Sequence, residues 1–239
     1  MFESDKIVSY SNAHVVDEGL RNFMLKIYNY MAGGLTLSAA VAWFVAGSPT
    51  ILKLFFTPTG YSALGWLALF MPLILVFAFG WVLNRGTIQQ VQAMFWGYSA
   101  SMGISLAPLF LIYTGTSITR VFLITSASFG ALSIYGYTTK KDLSGWGSFL
   151  VMGVIGLIIA SVVNIFLKSS GLDYALSYLT ILIFAGLTAY DTQTLKSLYF
   201  SNGYNEDGIS RGAIAGALSL YLDFVNMFMA LLRLFGDRR

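Results

Sequence analysis

The chain has 239 residues, of which 56% are hydrophobic and only 10% charged, and its formal net charge is +3. A soluble domain usually carries about 25% charged residues, so this composition excludes a water-soluble globular protein. The scattered basic residues exclude a nucleic-acid surface, which would cluster Lys and Arg on one face. The lack of cysteine excludes disulfides and thiolate sites, and the single histidine, His14, excludes a histidine-rich metal centre.

The first 27 residues form a polar segment of mixed charge, and the first apolar run begins near Tyr28. A cleaved signal peptide would instead have a short basic start followed directly by its apolar run. We therefore expect the first apolar run to be an uncleaved membrane anchor.

Seven apolar segments are long enough for a membrane-spanning helix, which needs roughly 20 residues. Their predicted bounds are Tyr28–Ala46, Leu64–Leu83, Val91–Tyr113, Ile118–Tyr137, Trp146–Leu167, Tyr174–Thr194 and Gly212–Phe235. Pro108 should kink the third helix. The segments are too long and too uniformly apolar for the strands of a β-barrel. We predict an all-α integral membrane protein with residues 1–239 in one membrane domain.

Basic residues in the loops predict the orientation, because cytoplasmic loops carry the excess of Lys and Arg. With the N-terminus inside, the inner side carries Lys6, Arg21, Lys26, Arg85, Lys140, Lys141, Lys196 and Arg211. The outer loops carry only Lys53, Arg120 and Lys168, although the C-terminal tail adds Arg233, Arg238 and Arg239. The loops therefore predict a cytoplasmic N-terminus.

Only two of the eleven acidic residues, Asp191 and Asp223, fall within apolar segments. An Asp near the centre of a membrane helix costs on the order of 2.5–3.5 kcal/mol to insert. Such residues usually face the protein interior and mark an ion path, a proton relay or a gate. A helix cap or a contact between two helices is the alternative. Helix counting places both residues in the same half of the membrane, with a difference in depth of roughly 10 Å.

Small and polar residues recur at intervals of three or four along the seventh predicted helix. They are Gly212, Gly216, Ser219, Asp223, Asn226, Ala230 and Arg233. Such a stripe faces other helices or a hydrated path. We therefore treat Gly216, Ser219 and Asn226 as candidate lining residues, with helix packing alone as the alternative.

Two carboxylates in a site of low dielectric cannot both ionise cheaply, so Asp191 and Asp223 are expected to share a proton. Their oxygens also suit a hard cation such as Ca²⁺, held transiently. Arg85, at the end of the second predicted helix, belongs to the same half of the membrane and is a candidate latch on the ionised form.

Four segments resemble the Bax inhibitor family of membrane proteins, and the similarity extends over nearly the whole chain. ALSLYLDFVNMFMALLRLFG, from Ala217 to Gly236, is similar to the last helix of that family. AYDTQTLK, from Ala189 to Lys196, is similar to its sixth-helix motif, and TKKDLSGWGSFL, from Thr139 to Leu150, to its connection into the fifth helix. LRNFMLKIYNYMAGGL, from Leu20 to Leu35, looks like the bacterial branch.

The resemblance implies seven helices with the last one surrounded by the other six, and a pH-sensitive calcium leak in the bacterial inner membrane. It also implies that Asp191 and Asp223 form a paired pH sensor and that Arg85 closes the pore by binding Asp191. Some members carry a glutamate within the second helix, but none occurs between Leu64 and Leu83 here. We expect no enzymatic activity, no cofactor and no nucleic-acid partner; calcium, protons and the lipid bilayer are the expected ligands.

Three alternatives remain. A cation/proton exchanger would use the same two carboxylates, and a regulatory membrane protein would act through an unidentified protein partner. An intramembrane aspartyl protease also has a Tyr-Asp element on its sixth helix, as at Tyr190–Asp191. Its second aspartate follows a Gly-x-Gly element, however, whereas Tyr221 and Leu222 precede Asp223.

Overall fold

The computed structural model describes residues 2–57, 60–201 and 205–239, with side chains from residue 18 onward. Seven helices are long and apolar enough to span a membrane, as predicted, and the chain is an integral membrane protein. The spans are Glu18–Gly47, Ala63–Arg85, Ile88–Ile112, Gly115–Thr138, Ser144–Leu167, Ser170–Ser201 and Glu206–Phe235. The side chains of Lys6 and His14 lie outside the described residues.

Helix α1 (Phe2–Gly47) takes in most of the segment that the sequence marked as polar. The reason is an amphipathic pattern before the apolar run: Leu20, Phe23, Met24 and Ile27 follow helical spacing, and all four are buried. Tyr199 packs against this extension, because its ring centroid lies 5.5 Å from that of Phe23. The buried face of α1 therefore begins before the apolar run, at least as early as Leu20.

A short helix, α2 (Pro49–Phe55), and a two-residue hairpin, β1 (Phe56–Thr57) with β2 (Gly60–Tyr61), connect α1 to the second span, α3 (Ala63–Arg85). Helix α4 (Ile88–Leu106) begins with a capping box, in which the Thr87 hydroxyl accepts from Gln90 N.

The third span is interrupted at Pro108, where the sequence predicts a kink. Helix α4 ends just before the proline, and one turn, α5 (Leu109–Ile112), completes the third span. Proline cannot donate a backbone hydrogen bond, and its ring clashes with the preceding turn. The fourth and fifth spans follow as α6 (Gly115–Thr138) and α7 (Ser144–Leu167).

The sixth span, α8 (Ser170–Ser201), continues seven residues beyond the predicted end at Thr194. Because one side of this extension is polar, it does not form a continuous apolar run, and the sequence does not predict it as part of the span. Its other side carries Leu195 and Tyr199, both buried against neighbouring helices. Asp191 consequently lies ten residues before the end of its helix.

The seventh span, α9 (Glu206–Phe235), is by far the most buried helix. In its most apolar 18-residue window 72% of the residues are buried, against 11–33% in the other six spans. Its main contacts are with α1, α4, α6 and α8, while α3 packs on α4 and α7 packs on α8. Four of the six other spans therefore line the last helix directly.

Contacts at the two ends of the bundle show which helix ends lie on the same membrane face. At the N-terminal face, where α1 and α9 enter the membrane, Lys26 Nζ donates to Ser210 Oγ at 3.1 Å. At the C-terminal face the tail after α9 is fastened to the start of α6. Asp237 N donates to Ser117 Oγ at 2.8 Å, and the Asp237 carboxylate pairs with Arg120 at 2.8 Å. The two ends of the bundle thus lie on opposite sides of the membrane.

Glycine at position 136 allows α6 to approach α8 closely, because a Cβ there would overlap the Ala189 carbonyl oxygen. Gly130, two turns earlier on the same helix, faces open space. We expect Gly136→Ala to destabilise the protein by about 1–3 kcal/mol through overpacking. Gly130→Ala should leave the melting temperature equal or slightly higher, since Ala is the better helix former. Thermal unfolding in detergent tests this pair, and equal melting temperatures would contradict the packing argument.

Candidate functional site

Asp223 lies in the middle of α9 and is almost completely buried, with 3% of its surface exposed. Its Oδ2 atom is shielded from solvent and receives no hydrogen bond from any described residue. An ionised carboxylate in such a place costs several kcal/mol unless it is paired and hydrogen-bonded. In this conformation Asp223 therefore requires a proton or a ligand from outside the protein.

Asp191 lies on α8 and is half-buried. Gly216 and Leu195 lie opposite each other on α9 and α8, because a Cβ on Gly216 would overlap the Leu195 side chain. Counting in opposite directions from this contact places Asp191 level with Leu220, which is one turn from Asp223. The difference in depth is about 5 Å at 1.5 Å per residue, roughly half of the separation predicted from the sequence.

Asp191 is the charged residue whose electrostatic effect reaches Asp223. The hydroxyl groups nearest to Asp191 along α8 donate no hydrogen bond to either carboxylate. Thr188 Oγ1 donates to Phe184 O at 2.8 Å, and Thr192 Oγ1 donates to Thr188 O at 2.7 Å. Each hydroxyl has one proton, so these bonds leave no threonine donor for a carboxylate. These two threonines of α8 therefore donate to their own helix and not to either aspartate.

Arg85, the predicted latch, stands apart from the aspartates in this conformation. It ends α3 at the N-terminal face, and its exposed guanidinium group lies 5.9 Å from the centroid of the Trp81 ring. No ion pair within the described part of the chain includes it. Contact between Arg85 and Asp191 therefore remains a prediction for another conformation.

A different arginine, Arg211, connects the second span to the seventh. Its Nη1 atom donates to Leu83 O at 2.9 Å, and its Nε atom pairs with Asp207 at 2.8 Å. Leu83 lies in the last turn of α3, where backbone carbonyl groups lack helical partners and attract cations. The spacing of Asp207 and Arg211 is the sequence signal for the ion pair, but only the fold shows which helix end Arg211 reaches.

The residues of the predicted polar stripe on α9 share one face of the helix but differ in burial. Gly216 is buried against α8 and serves close packing, whereas Ser219 and Asn226 are half-exposed. Asn226 Nδ2 donates to Leu222 O at 2.8 Å. Ser219 and Asn226 thus remain candidates for a hydrated path, and Gly216 is better explained as a packing residue.

This open side of α9 leads to a cavity of about 640 Å³ at the C-terminal face. Asp173, Ser177, Arg233 and Arg238 line it, together with aromatic and aliphatic side chains. Asp173 also accepts a hydrogen bond from Asn164 Nδ2 at 2.6 Å. The cavity therefore carries charges of both signs at the end of the bundle farther from Asp191.

A buried hydroxyl cluster lies on the side of α9 that faces α1 and α4. Ser38 Oγ lies 2.6 Å from Ser99 O and 2.9 Å from Gly34 O, and the Tyr221 hydroxyl lies 2.7 Å from Ser38 Oγ. Because Ser38 has one proton and two nearby carbonyl acceptors, Tyr221 donates to Ser38. Sequence reasoning missed this cluster, since isolated serines in apolar helices do not indicate which helix they meet.

Comparison with known proteins places the chain among bacterial membrane proteins. The family model described as "Inhibitor of apoptosis-promoting Bax1" matches residues 20–239. An uncharacterised protein of Rickettsia prowazekii is 47% identical over 98% of this chain and 97% of its own length. The inner membrane protein YbhL of Escherichia coli is 41% identical over 92% of this chain and 94% of its own length.

Replacing Arg85 and Arg211 in turn separates their roles at the N-terminal face. Arg211→Met removes a charged hydrogen bond to α3, which is worth about 1.5–3 kcal/mol. We therefore expect amide exchange at residues 84–87 to accelerate by about tenfold or more. Arg85→Met, the matched control, should change exchange there much less. Equal exchange in both variants, measured by mass spectrometry, would show that Arg211 does not hold the end of α3.

Proposed function

The chain belongs to the Bax inhibitor family, and we propose that it is a calcium leak of the membrane that opens when the Asp191–Asp223 pair loses its proton. The observation that carries this proposal is the buried Oδ2 atom of Asp223, which receives no hydrogen bond from the described residues. Ionisation is unfavourable in this conformation because no partner compensates the charge. Loss of the proton therefore favours a second conformation, in which water or a cation reaches the pair.

The nature of the pair supports a divalent cation as the permeant ion. Two carboxylates offer hard oxygen ligands, and repulsion between them is relieved by a bound positive charge. Ca²⁺ takes six to eight oxygen ligands. Among the described residues no group of three or more His, Cys, Asp or Glu is arranged to hold a metal ion. The pair would thus hold Ca²⁺ briefly, with water completing the shell, as suits passage.

The half-exposed side of α9 supports a route for that ion. Ser219 presents its hydroxyl group at the level of Asp191, and Asn226 presents its side-chain amide between that level and the cavity at the C-terminal face. Arg233 and Arg238 in that cavity oppose the approach of cations by like-charge repulsion. The proposed activity is therefore a slow leak rather than the rapid flow of a wide channel.

In this mechanism Arg85 acts in a conformation different from the one described above. It would have to leave the Trp81 ring and turn toward α8 to reach an ionised Asp191. A cation–π contact at an exposed site is worth only about 0.5–1 kcal/mol, so releasing it is inexpensive. The proposed latch would compete with calcium for the same carboxylate.

The calcium flux of purified protein in liposomes, measured over a series of pH values, tests the gate. Asp223→Asn resembles the protonated carboxyl group but cannot ionise. We expect its flux at the alkaline end of the series to fall by about tenfold or more, which corresponds to about 1.4 kcal/mol, and its pH dependence to flatten. Asp191→Asn should retain some flux, with the pH dependence of a single group.

Asp142→Asn is the matched control for these substitutions. Asp142 lies in the exposed loop between α6 and α7, where hydrogen bonds from the Ser144 side chain and backbone hold its pKa below the usual value. It stays ionised across the series, so its removal should leave the pH profile unchanged. The proposed gate is wrong if both membrane aspartates can be replaced without altering flux or its pH dependence.

The same preparation distinguishes a leak from an exchanger, which would use the same carboxyl groups alternately for protons and cations. With calcium equal on both sides, an imposed pH gradient drives net calcium movement only in an exchanger. Calcium that moves uphill would replace the leak with an exchanger and leave the role of the aspartates intact.

We further propose that the membrane is the bacterial inner membrane and that the N-terminus is cytoplasmic. The name of the Escherichia coli relative and the basic residues near the N-terminal face support this arrangement. Because the chain lacks cysteine, single cysteines introduced at Lys53 and Lys140 report each side in intact cells. An impermeant thiol reagent should label only the cysteine at position 53. Labelling confined to position 140 would reverse the orientation.

A further inference from the structure

A cavity of about 690 Å³ lies between α1 and α6 at the N-terminal half of the bundle. Both helices pack on α9 but share no extensive contact with each other, so a gap opens between them toward the surrounding lipid. Met24, Leu25, Phe129 and Ile134 supply apolar walls. The volume is within the range of about 300–1,000 Å³ that is typical of small-molecule sites.

The rim of this cavity at the N-terminal face is positively charged and aromatic. Arg21 lines it and is exposed, and none of the ion pairs among the described side chains includes it. Tyr137 lies on the opposite wall, and the Lys196 ammonium group lies 5.1 Å from the centroid of its ring. Tyrosine and cationic side chains are the residues that meet lipid headgroups at a membrane surface.

One turn deeper in the cavity, the hydroxyl group of Ser133, unpaired among the described residues, indicates that a ligand binds there. It lines the same space, is only 5% exposed, and its Oγ atom has no hydrogen-bond partner within the described part of the chain. Other buried serines in these helices donate to a backbone carbonyl of their own helix, as Ser99 does to Phe95 O at 3.0 Å and Ser177 to Asp173 O at 2.9 Å. A buried hydroxyl without a partner is unfavourable, so an acceptor from outside the protein is expected here.

We propose that this cavity binds one anionic phospholipid, with the phosphate at Arg21, an ester carbonyl accepting from Ser133, and an acyl chain against Phe129. From the membrane face inward the cavity presents a cation, a hydroxyl donor and an apolar wall. A phospholipid presents its phosphate, its ester groups and its chains in the same order. A free phosphate ion would leave the apolar walls unfilled, and a zwitterionic lipid would not complement a positively charged rim.

This lipid site does not depend on the calcium leak, and it is tested by binding alone. The wild-type protein is exchanged into detergent, mixed with equal amounts of phosphatidylglycerol and phosphatidylethanolamine, and examined by native mass spectrometry. We expect one tightly held lipid with a preference for phosphatidylglycerol. Arg21→Gln should reduce this preference by about fivefold, the effect of one cation near an anionic headgroup.

Gly130→Leu tests the cavity itself. Gly130 lines the cavity and faces open space, so a leucine side chain fills the volume proposed for the acyl chain without striking another protein atom at its Cβ. We expect at least tenfold weaker binding of the retained lipid. Gly156→Leu is the matched control, because Gly156 also faces open space but lies on α7, away from the cavity. It should bind lipid like the wild type.

The outcomes separate the proposal from its rivals. Lipid retention in Gly130→Leu equal to that of Gly156→Leu would overturn the site. Equal binding of the two lipids by the wild type would overturn the anionic headgroup. Ser133→Ala, which is smaller and requires no repacking, gives an independent test that avoids any folding defect. It should weaken phosphatidylglycerol binding severalfold, and unchanged binding would remove Ser133 from the site.

Discussion

The burial of the Asp223 carboxyl group on the most enclosed helix of the bundle is the constraint on which the rest of the arrangement depends. One of its oxygens is shielded from solvent and has no donor among the described residues. A hydrophobic bundle can hold such a group only while its charge is neutralised. The conformation described here is therefore the one in which the aspartate is protonated or liganded, and any change in that charge acts directly on the packing of α9.

The bonds made by the polar groups near Asp223 explain why they donate no hydrogen bond to its buried oxygen. Thr188 and Thr192 return their protons to the backbone of α8, and Tyr221 directs its hydroxyl to Ser38 on the other side of α9. In a membrane these internal bonds are strongly favoured, because no water competes for them. They leave Asp191 as the charged group that acts on Asp223. This arrangement suits the proposed response of the two carboxyl groups to protons and cations from outside.

Neighbouring residues on one face of α9 have different surroundings. Gly216 lets Leu195 approach closely, and this contact shows the register between α8 and α9 and with it the depth of Asp191. Ser219 and Asn226, beside it on the same face, are half-exposed. The gap between α1 and α6 is separate from this path, although its wall residue Phe129 packs on Phe224, with ring centroids 5.6 Å apart. A lipid in that gap would therefore contact the residue that supports the neighbour of Asp223.

The seven spans, the break at Pro108 and the cost of placing two aspartates in a membrane could be predicted from the residues alone, because hydrophobic length and isolated charge are local properties. The sequence also determined the family, since the motifs around Asp191 and Asp223 are long and specific. It missed the extensions of α1 and α8, whose apolar residues occupy only one side of a helix and become recognisable once a partner helix covers them.

Which groups meet depends on how the helices pack. The register between α8 and α9, seen at the contact of Gly216 with Leu195, differs by about one turn from the register obtained by counting from the predicted helix ends. The end of α3 meets Arg211 while Arg85 lies on Trp81, because the packing of α3 decides which side chain faces the bundle. The unpartnered atoms of Asp223 and Ser133 likewise emerge from the fold alone, since the lack of a hydrogen bond is a property of all the surroundings together.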